Sequence, residues 1–377
     1  MMMKKSMLAS AVTNMAPLRS KKLNEIESAL RDVLSSYGCI EIFLPIYDYY
    51  DMLSSTTQGF SDENIIRFID RNTGKSLVLR PDFTPQVCRY AANYMNNYPL
   101  PLRLGYRGRV FRNVNMDKGI KSEKTQVGCE LFGLEEMTGD IELLLIAENG
   151  IKALKLNGHR YVIGDMKFNA ELLKLAGDFK EEFLKALSAK NLDRMKQIID
   201  SSSLDEAAKK FLKSIPFAYG GKDVLKELRI TAPNGEIKAR IEYIERFFDK
   251  LTELGIAEKA LVFDASECKG YDYYTGLTFE ILHGGIGSKI GTGGRYDNLA
   301  GKFGFNVPAC GMAFYVEEII NVDKPTGVKV SFDYMVTGKD NQAQAEKLRA
   351  EGKSVLYVEN KENKDKFLEF YEIGQIL

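Results

Sequence analysis

Two short stretches set polar side chains around a glycine with the spacing of a strand. If EKTQVGCELFG (123–133) is extended, Gln126, Gly128 and Glu130 share one face, and Thr125, Val127, Cys129 and Leu131 share the other, core-like face. In YDYYTGLTFE (271–280) the same rule groups Asp272, Tyr274, Gly276, Thr278 and Glu280, with Tyr271, Tyr273, Leu277 and Phe279 opposite. A glycine between two long polar residues leaves a gap that another group can enter. Two such strands facing one way line a small pocket with carboxylates, an amide and a phenol. That lining suits a small polar cation, such as an amino-acid ammonium or an imidazole. The same pattern also fits the solvated face of an ordinary antiparallel sheet.

Other chemistries find little support. The glycine-rich run HGGIGSKIGTGGRYDNL (283–299) has neither GK[ST] nor a G-x-G-x-x-G set in a βαβ unit, so it matches no nucleotide fingerprint. Its Gly-Gly pairs read as tight turns and close backbone contact. The chain has two histidines, His159 and His283, neither beside a candidate Ser or Cys, and both read as structural. Five scattered cysteines (Cys39, Cys88, Cys129, Cys268, Cys310) show no metal-ligand spacing and read as free thiols of a reducing compartment. With 52 basic against 52 acidic residues, charge gives no support to gripping a long nucleic acid. The N-terminal MMMKKSMLASAVTNMA only faintly imitates a signal peptide, and no stretch is apolar enough to span a membrane. The expectation is a cytoplasmic protein without metal or cofactor. One oddity remains: the apolar segment CGMAFYVEEII (310–320), leaving the glycine-rich run, ends in paired acids, Glu317 and Glu318.

The elements that position these residues can be read along the chain. Leu23, Ile26, Leu30, Val33 and Leu34 predict a helix stopped by Gly38. CIEIFL predicts a strand ended by Pro45, and IIRFID with KSLVLR a hairpin around RNTG. TPQVCRYAANYM predicts a helix. LRLGYRGRVFRNV and EKTQVGCELFG predict two long strands joined by a polar loop. Residues 167–256 predict a helical insertion, after which strands return from Leu261. Long strands with few βαβ units point to an α+β fold with an antiparallel sheet flanked by helices. A composition break at NVDKPTG (321–327) separates a core of residues 1–322 from a small α/β module at 323–377. That module reads strand, helix, strand, with one more helix or strand to follow.

Taken together, LRPDFTPQVCRYA, YRGRVFRN, EKTQVGCELFG, KGYDYYTGLTFE and GTGGRYDNL resemble the catalytic core of the class II aminoacyl-tRNA synthetases, in the histidyl branch. The order of these motifs matches the family, and the resemblance covers roughly residues 15–320. It implies a six-stranded antiparallel sheet with helices, a homodimer formed near the N-terminal helix, and a histidine pocket. Within that pocket it implies Asp82 and Thr84, helped by Gln126, on the α-ammonium. Glu130 and the Tyr274 hydroxyl would meet the imidazole, with Tyr273 and Arg112 beside them. Lys269 stands where the synthetases carry an arginine near the substrate carboxylate, keeping the charge but losing the two-pronged geometry.

The nucleotide half departs from the family. Where the resemblance implies a Glu two positions after Arg112, this sequence has Val114. In place of further arginines and an adenine-stacking aromatic it has Ile120, Ser122 and Lys124, and in place of the third motif's Gly and Arg it has Tyr315 and Glu318. An attractive charge pair at about 4 Å is worth roughly 4 kcal/mol at an effective dielectric near 20, and reversing its sign costs up to about twice that before screening. Adenylation is therefore not expected. Nor does the segment 323–377 offer the length of an anticodon-binding domain.

This combination resembles the synthetase-like regulatory subunits of ATP phosphoribosyltransferase. The resemblance implies a non-catalytic partner of the short-form catalytic subunit, in a hetero-octamer of four plus four, with L-histidine as effector of the first step of histidine biosynthesis. Neither nucleic acid nor membrane is an expected partner. Two other readings stay open on sequence: an active histidyl-tRNA synthetase lacking its anticodon-binding domain, and a stand-alone amino-acid-binding scaffold.

Overall fold

The computed structural model describes residues 14–56, 62–114, 121–267, 273–322 and 329–377. The chain divides into two compact units. One is Ile26–Val322, and the other joins Asn14–Glu25 with the described residues of Asp323–Leu377.

The larger unit is organised by one sheet, whose strand order is Ile40–Glu41, Leu102–Phe111, Glu123–Phe132, Ala309–Tyr315, Lys289–Arg295, Leu277–His283, His159–Asp165, Leu261–Asp264 and Tyr219–Gly220. From Leu102–Phe111 to His159–Asp165 every neighbour is antiparallel, which gives the six antiparallel strands expected. The count differs only at the rims. Ile40–Glu41 pairs in parallel at one edge, and Leu261–Asp264, parallel to His159–Asp165, carries Tyr219–Gly220 at the other.

Register explains which residues share the functional face. Gly128 lies opposite Tyr106 on one side and Ala313 on the other, and Glu130 lies opposite Leu104 and Gly311. Gly294 continues the row opposite Gly311, with Thr278 beyond it. Gly128, Ala313, Gly311 and Gly294 thus make a floor of small residues across the middle of the sheet. The Thr84–Tyr94 helix covers this face, packing Val87, Cys88 and Ala91 with Phe83, Tyr106, Tyr296 and Phe305 into one buried cluster. On the opposite face, the Thr138–Ala153 helix comes so close that a Cβ on Gly150 would stand 2.7 Å from the Phe314 ring. The Pro17–Ser36 helix buries Ile26, Leu30 and Leu34, spaced one turn apart.

Between residues 166 and 253 the chain is mainly helical. Four of these helices begin at a side chain that accepts an otherwise unpaired backbone N–H: Asp165, Asn191, Asp205 and Asn234. Each such cap stabilises its helix by about 1 kcal/mol. In the smaller unit, Val355–Val358, Val330–Thr337 and Tyr371–Ile376 form a parallel sheet with Val330–Thr337 central. The last segment supplies both a helix, Lys364–Phe370, and a strand. No helix among the described residues is long and apolar enough to cross a membrane.

Two sequence expectations need correction. CIEIFL pairs only at Ile40–Glu41, because Ile42 already turns inward while Phe43 is exposed. YDYYTGLTFE becomes a strand only at Leu277. Thr275 N–H donates to Arg295 O (2.8 Å) outside the sheet ladder, so alternation does not govern Tyr273 and Tyr274.

Candidate functional site

The site lies on the covered face of the sheet, where RPDFT (80–84) enters the Thr84–Tyr94 helix. Arg80 anchors that entry. Its guanidinium stacks 3.6 Å from the Phe83 ring and donates to the carbonyls of Leu44, Pro45 and Arg109. Burial pulls Arg80 down to about 10, with Tyr106 and Asp82 opposing the shift. Asp82 is thereby held inward. One of its oxygens accepts from Phe83 N–H (2.9 Å) and the other from the Tyr273 hydroxyl (2.9 Å). Burial raises the Asp82 carboxyl above its ordinary range, and the nearby Arg112 charge and the Tyr273 bond oppose that rise. Arg112 Nε donates to Pro81 O (3.1 Å), so this arginine braces the segment that carries Asp82.

Glu130 sits one layer deeper, fully buried. Its Oε1 accepts from Thr84 Oγ1 (2.8 Å) and Tyr106 OH (3.1 Å), and its Oε2 from the Tyr296 hydroxyl. Burial pushes its carboxyl up to about 8, against the three hydroxyls that favour the ionised form; the charge of Asp82 adds to the rise. A Cβ on Gly311 would stand 1.5 Å from Glu130 Oε2, so the residue opposite Glu130 has to be glycine. Gly128 answers a similar demand, since its Cβ would fall 2.2 Å from Met312 O and 2.7 Å from Tyr106 OH.

Asp82, Thr84, Gln126, Tyr273 and Tyr274 line one cleft together with Tyr106, Thr292, Tyr296 and Tyr315. Five expected site residues therefore converge. Tyr273 and Tyr274, assigned to opposite faces by alternation, both line it, because the chain is turning there. Thr275 ties this turn down: its Oγ1 accepts from Asp297 N–H (3.0 Å), and Asp297 Oδ1 holds the buried Arg295 (2.8 Å). Glu130 is not at the surface of the cleft but behind its wall, reached through Thr84, Tyr106 and Tyr296. Lys269 lies outside the described residues. Sequence reasoning missed Tyr106 and Tyr296. For Tyr106 the signal was present, because a glycine at 128 makes room for a large neighbour on the adjoining strand.

The cleft's polar groups are not all satisfied. Gln126 Oε1 is buried without a hydrogen-bond partner, although an orphaned buried acceptor costs about 1–3 kcal/mol. The cavity volume is about 20 Å³, room for a water molecule. A roomier cavity of about 620 Å³ lies among helices at residues 207–233. Its walls are mainly apolar, with Lys210 and Glu227 as its charged groups, and they assemble no comparable convergence of acids and phenols.

Beyond Gln126 the face changes character. Glu317, mostly buried, accepts from both Thr125 N–H and Thr125 Oγ1 (2.7 Å each). Glu318 accepts from Lys124 Nζ (2.9 Å) and from Ser288 Oγ (2.6 Å). Burial would raise the Glu318 carboxyl, but Ser288 and Lys124 outweigh it and hold the group below its usual range. Tyr315 OH pairs with Thr292 Oγ1 at 2.9 Å, and Lys124 Nζ lies 5.4 Å from the Tyr315 ring centre. The paired acids are thus tied into the fold by donors from the Glu123–Phe132 strand and from Ser288. The two histidines are structural in the same sense. His159 Nε2 meets Glu148 (3.0 Å), and His283 Nε2 meets Asn157 O (2.7 Å). Among the described residues no cluster of His, Cys, Asp and Glu is arranged to hold a metal.

The profile of the family described as Histidyl-tRNA synthetase matches residues 11–319. The ATP phosphoribosyltransferase regulatory subunit of Geobacter metallireducens is 32% identical over 86% of this chain and 75% of its own length. That of Moorella thermoacetica is 29% identical over 93% and 91%. Among solved structures, an ATP phosphoribosyltransferase regulatory subunit/histidyl-tRNA synthetase from Bacillus halodurans shares the fold with a TM-score of 0.87 at 22% identity, covering 100% of this chain and 99% of that one. A histidine–tRNA ligase subunit from Alicyclobacillus acidocaldarius gives a TM-score of 0.70 at 25% identity, over 86% and 99%.

Proposed function

Because the chain belongs to the family of ATP phosphoribosyltransferase regulatory subunits, built on a histidyl-tRNA synthetase-like core, we propose that it is a non-catalytic regulatory subunit that binds L-histidine. Its client is the short-form catalytic subunit, which joins ATP to phosphoribosyl pyrophosphate in the first step of histidine biosynthesis. The work is cytoplasmic, in a hetero-octamer of four plus four chains whose regulatory chains pair as homodimers. The observation that carries this reading is a contrast along one strand: Gln126 Oε1, in the cleft, is left without a partner, while beyond the cleft each oxygen of Glu317 and Glu318 accepts a donor from the chain itself.

An amino-acid ammonium supplies the donor that Gln126 lacks, and Asp82 supplies the opposite charge. Glu130, behind the wall, fixes the Thr84, Tyr106 and Tyr296 hydroxyls that line it, and Tyr274 completes the wall that meets the imidazole. A cavity of about 20 Å³ is smaller than an amino acid, so binding requires the Tyr273 and Tyr274 side chains to move aside. Histidine then favours whichever assembly state presents the widened cleft, to the extent of its difference in affinity for the two states. The acidic end repels a triphosphate, and the described donors to Glu317 and Glu318 are Lys124, Thr125, Ser288 and Asn321, with no arginine among them, so histidyl-adenylate is not made.

The test is reconstitution. The purified catalytic subunit should be inactive alone, active with this chain, and inhibited by L-histidine only when the chain is present. Equal activity with and without the chain would refute the regulatory role. Histidine-dependent pyrophosphate exchange by the chain alone would instead support a tRNA ligase.

A further inference from the structure

Tyr315 lies directly opposite Gln126 across the sheet ladder, and Thr292 lies opposite Ala313, two residues back along the same strand. Side chains so related project from one face, and Gln126, Thr292 and Tyr315 all line the cleft. Tyr315 is almost fully buried. Two contacts fix its ring: the hydroxyl pairs with Thr292 Oγ1 (2.9 Å), and the Lys124 ammonium stands 5.4 Å from the ring centre. Lys124 in turn is held by Glu318 (2.9 Å), so the ring is the partition between the cleft and the acidic cluster beyond it. A pair of hydroxyls carries two hydrogens, and the bond between them uses one. The second has no acceptor among the described residues. The cleft therefore holds an unused donor and, on the adjoining strand, the unused acceptor of Gln126. Together they complement a zwitterion, with Gln126 for the ammonium and the hydroxyl hydrogen for the carboxylate.

We infer that the Tyr315–Thr292 pair receives the ligand's α-carboxylate, and that the Tyr315 ring limits the cleft to free α-amino acids by shutting out forms extended at the carboxyl group. This assignment rests on the reading of the cleft as a histidine site, and it deepens that reading in two separable ways. The spare hydrogen makes a charge-assisted bond to a carboxylate oxygen, stronger than one to a neutral acceptor. A ligand without a carboxylate forgoes it. The ring, held by Thr292 on one side and Lys124 on the other, leaves no passage for a group attached beyond the carboxyl. A cleft so built answers to the free amino acid and not to an ester or an adenylate of it.

Calorimetry of the full chain with L-histidine, histamine and L-histidine benzyl ester is the test, with thermal melting to check that each variant folds. In the unaltered chain histidine should bind saturably, histamine at least about tenfold more weakly, and the ester should give no heat. Tyr315→Phe combined with Thr292→Val removes both hydroxyls and keeps both shapes. It should weaken histidine by about tenfold, leave histamine unchanged and still exclude the ester. Each single substitution should give a smaller loss of the same kind. Tyr315→Ala opens the partition and should admit the ester. Histidine binding that the double variant leaves unchanged, an equal loss for histidine and histamine, or ester binding by the unaltered chain would overturn the assignment while the histidine cleft stands. No histidine heat in the unaltered chain would overturn both.

Discussion

One strand, Glu123–Phe132, carries at its two ends polar clusters whose groups are treated in opposite ways. At the Glu130 end, two carboxyls are buried close together, both raised above their ordinary range, and the neighbouring Gln126 oxygen has no partner. At the Lys124 end, each oxygen of Glu317 and Glu318 has at least one donor from the chain, and Tyr315 is paired with Thr292. Unmet hydrogen-bonding capacity is costly in a buried place, so where it persists it points to a ligand. Where the demand is met internally, the surface has become part of the fold. On the proposed function, the contrast separates a histidine-binding end from one that no longer receives a nucleotide.

The most severe way to break the comparison is Gly128→Ala, which strikes between the two ends. The new methyl would meet backbone oxygen at 2.2 Å, and backbone does not yield cheaply. Urea unfolding should show a loss of more than about 3 kcal/mol, and histidine binding should vanish with it.

Glu130→Gln sharpens the comparison through pH. With its folded value raised to about 8 from an ordinary 4.5, Glu130 keeps its proton in the folded state after losing it in the unfolded one. Its contribution to stability is therefore complete below 4.5 and is lost as pH rises toward about 8, with a slope of up to about 1.4 kcal/mol per pH unit. Asp82 and Asp140, also raised by burial, act in the same direction, so the readout is wild type minus variant. Chemical denaturation across roughly pH 5 to 8 should give a shallower decline for Glu130→Gln. Parallel curves would contradict the buried, protonated Glu130.

Tyr273→Phe removes one donor from Asp82 and should weaken L-histidine by roughly tenfold, in line with about 1–3 kcal/mol for a broken charged hydrogen bond. Calorimetry measures that loss, and unchanged affinity would remove Tyr273 from the site. Smallest is Lys124→Ala. Its pair with Glu318 is partly exposed, with side-chain exposures of 27% and 16%. Stability should fall by only about 0–1 kcal/mol, and histidine affinity should not move.

How much of this was legible in the sequence depended on whether neighbours along the chain were also neighbours in function. The polar–Gly–polar face of Glu123–Phe132 was readable because period-two alternation is local, and Gln126 and Glu130 do share a side. The second stretch failed before Leu277, because contacts with Arg295 and Asp297 turn the chain, and no local pattern reports contacts so distant. Glu130's retreat behind Tyr106 and Tyr296 was invisible for the same reason. Glu317 lies in the first turn of the Val316–Val322 helix and its partner is Thr125, on a strand far away in sequence, so the paired acids looked misplaced until helix and strand were set side by side. The antiparallel core followed from strand lengths. Its rim strands of two residues, Ile40–Glu41 and Tyr219–Gly220, are too short to leave a pattern.

Calorimetric titration of the purified chain with L-histidine and, separately, with ATP is the most direct test. The account predicts saturable heat for histidine, lost in Glu130→Ala, and none for ATP with or without histidine. Saturable ATP binding, or histidine binding indifferent to Glu130, would contradict the division of this region into a binding end and a retired one.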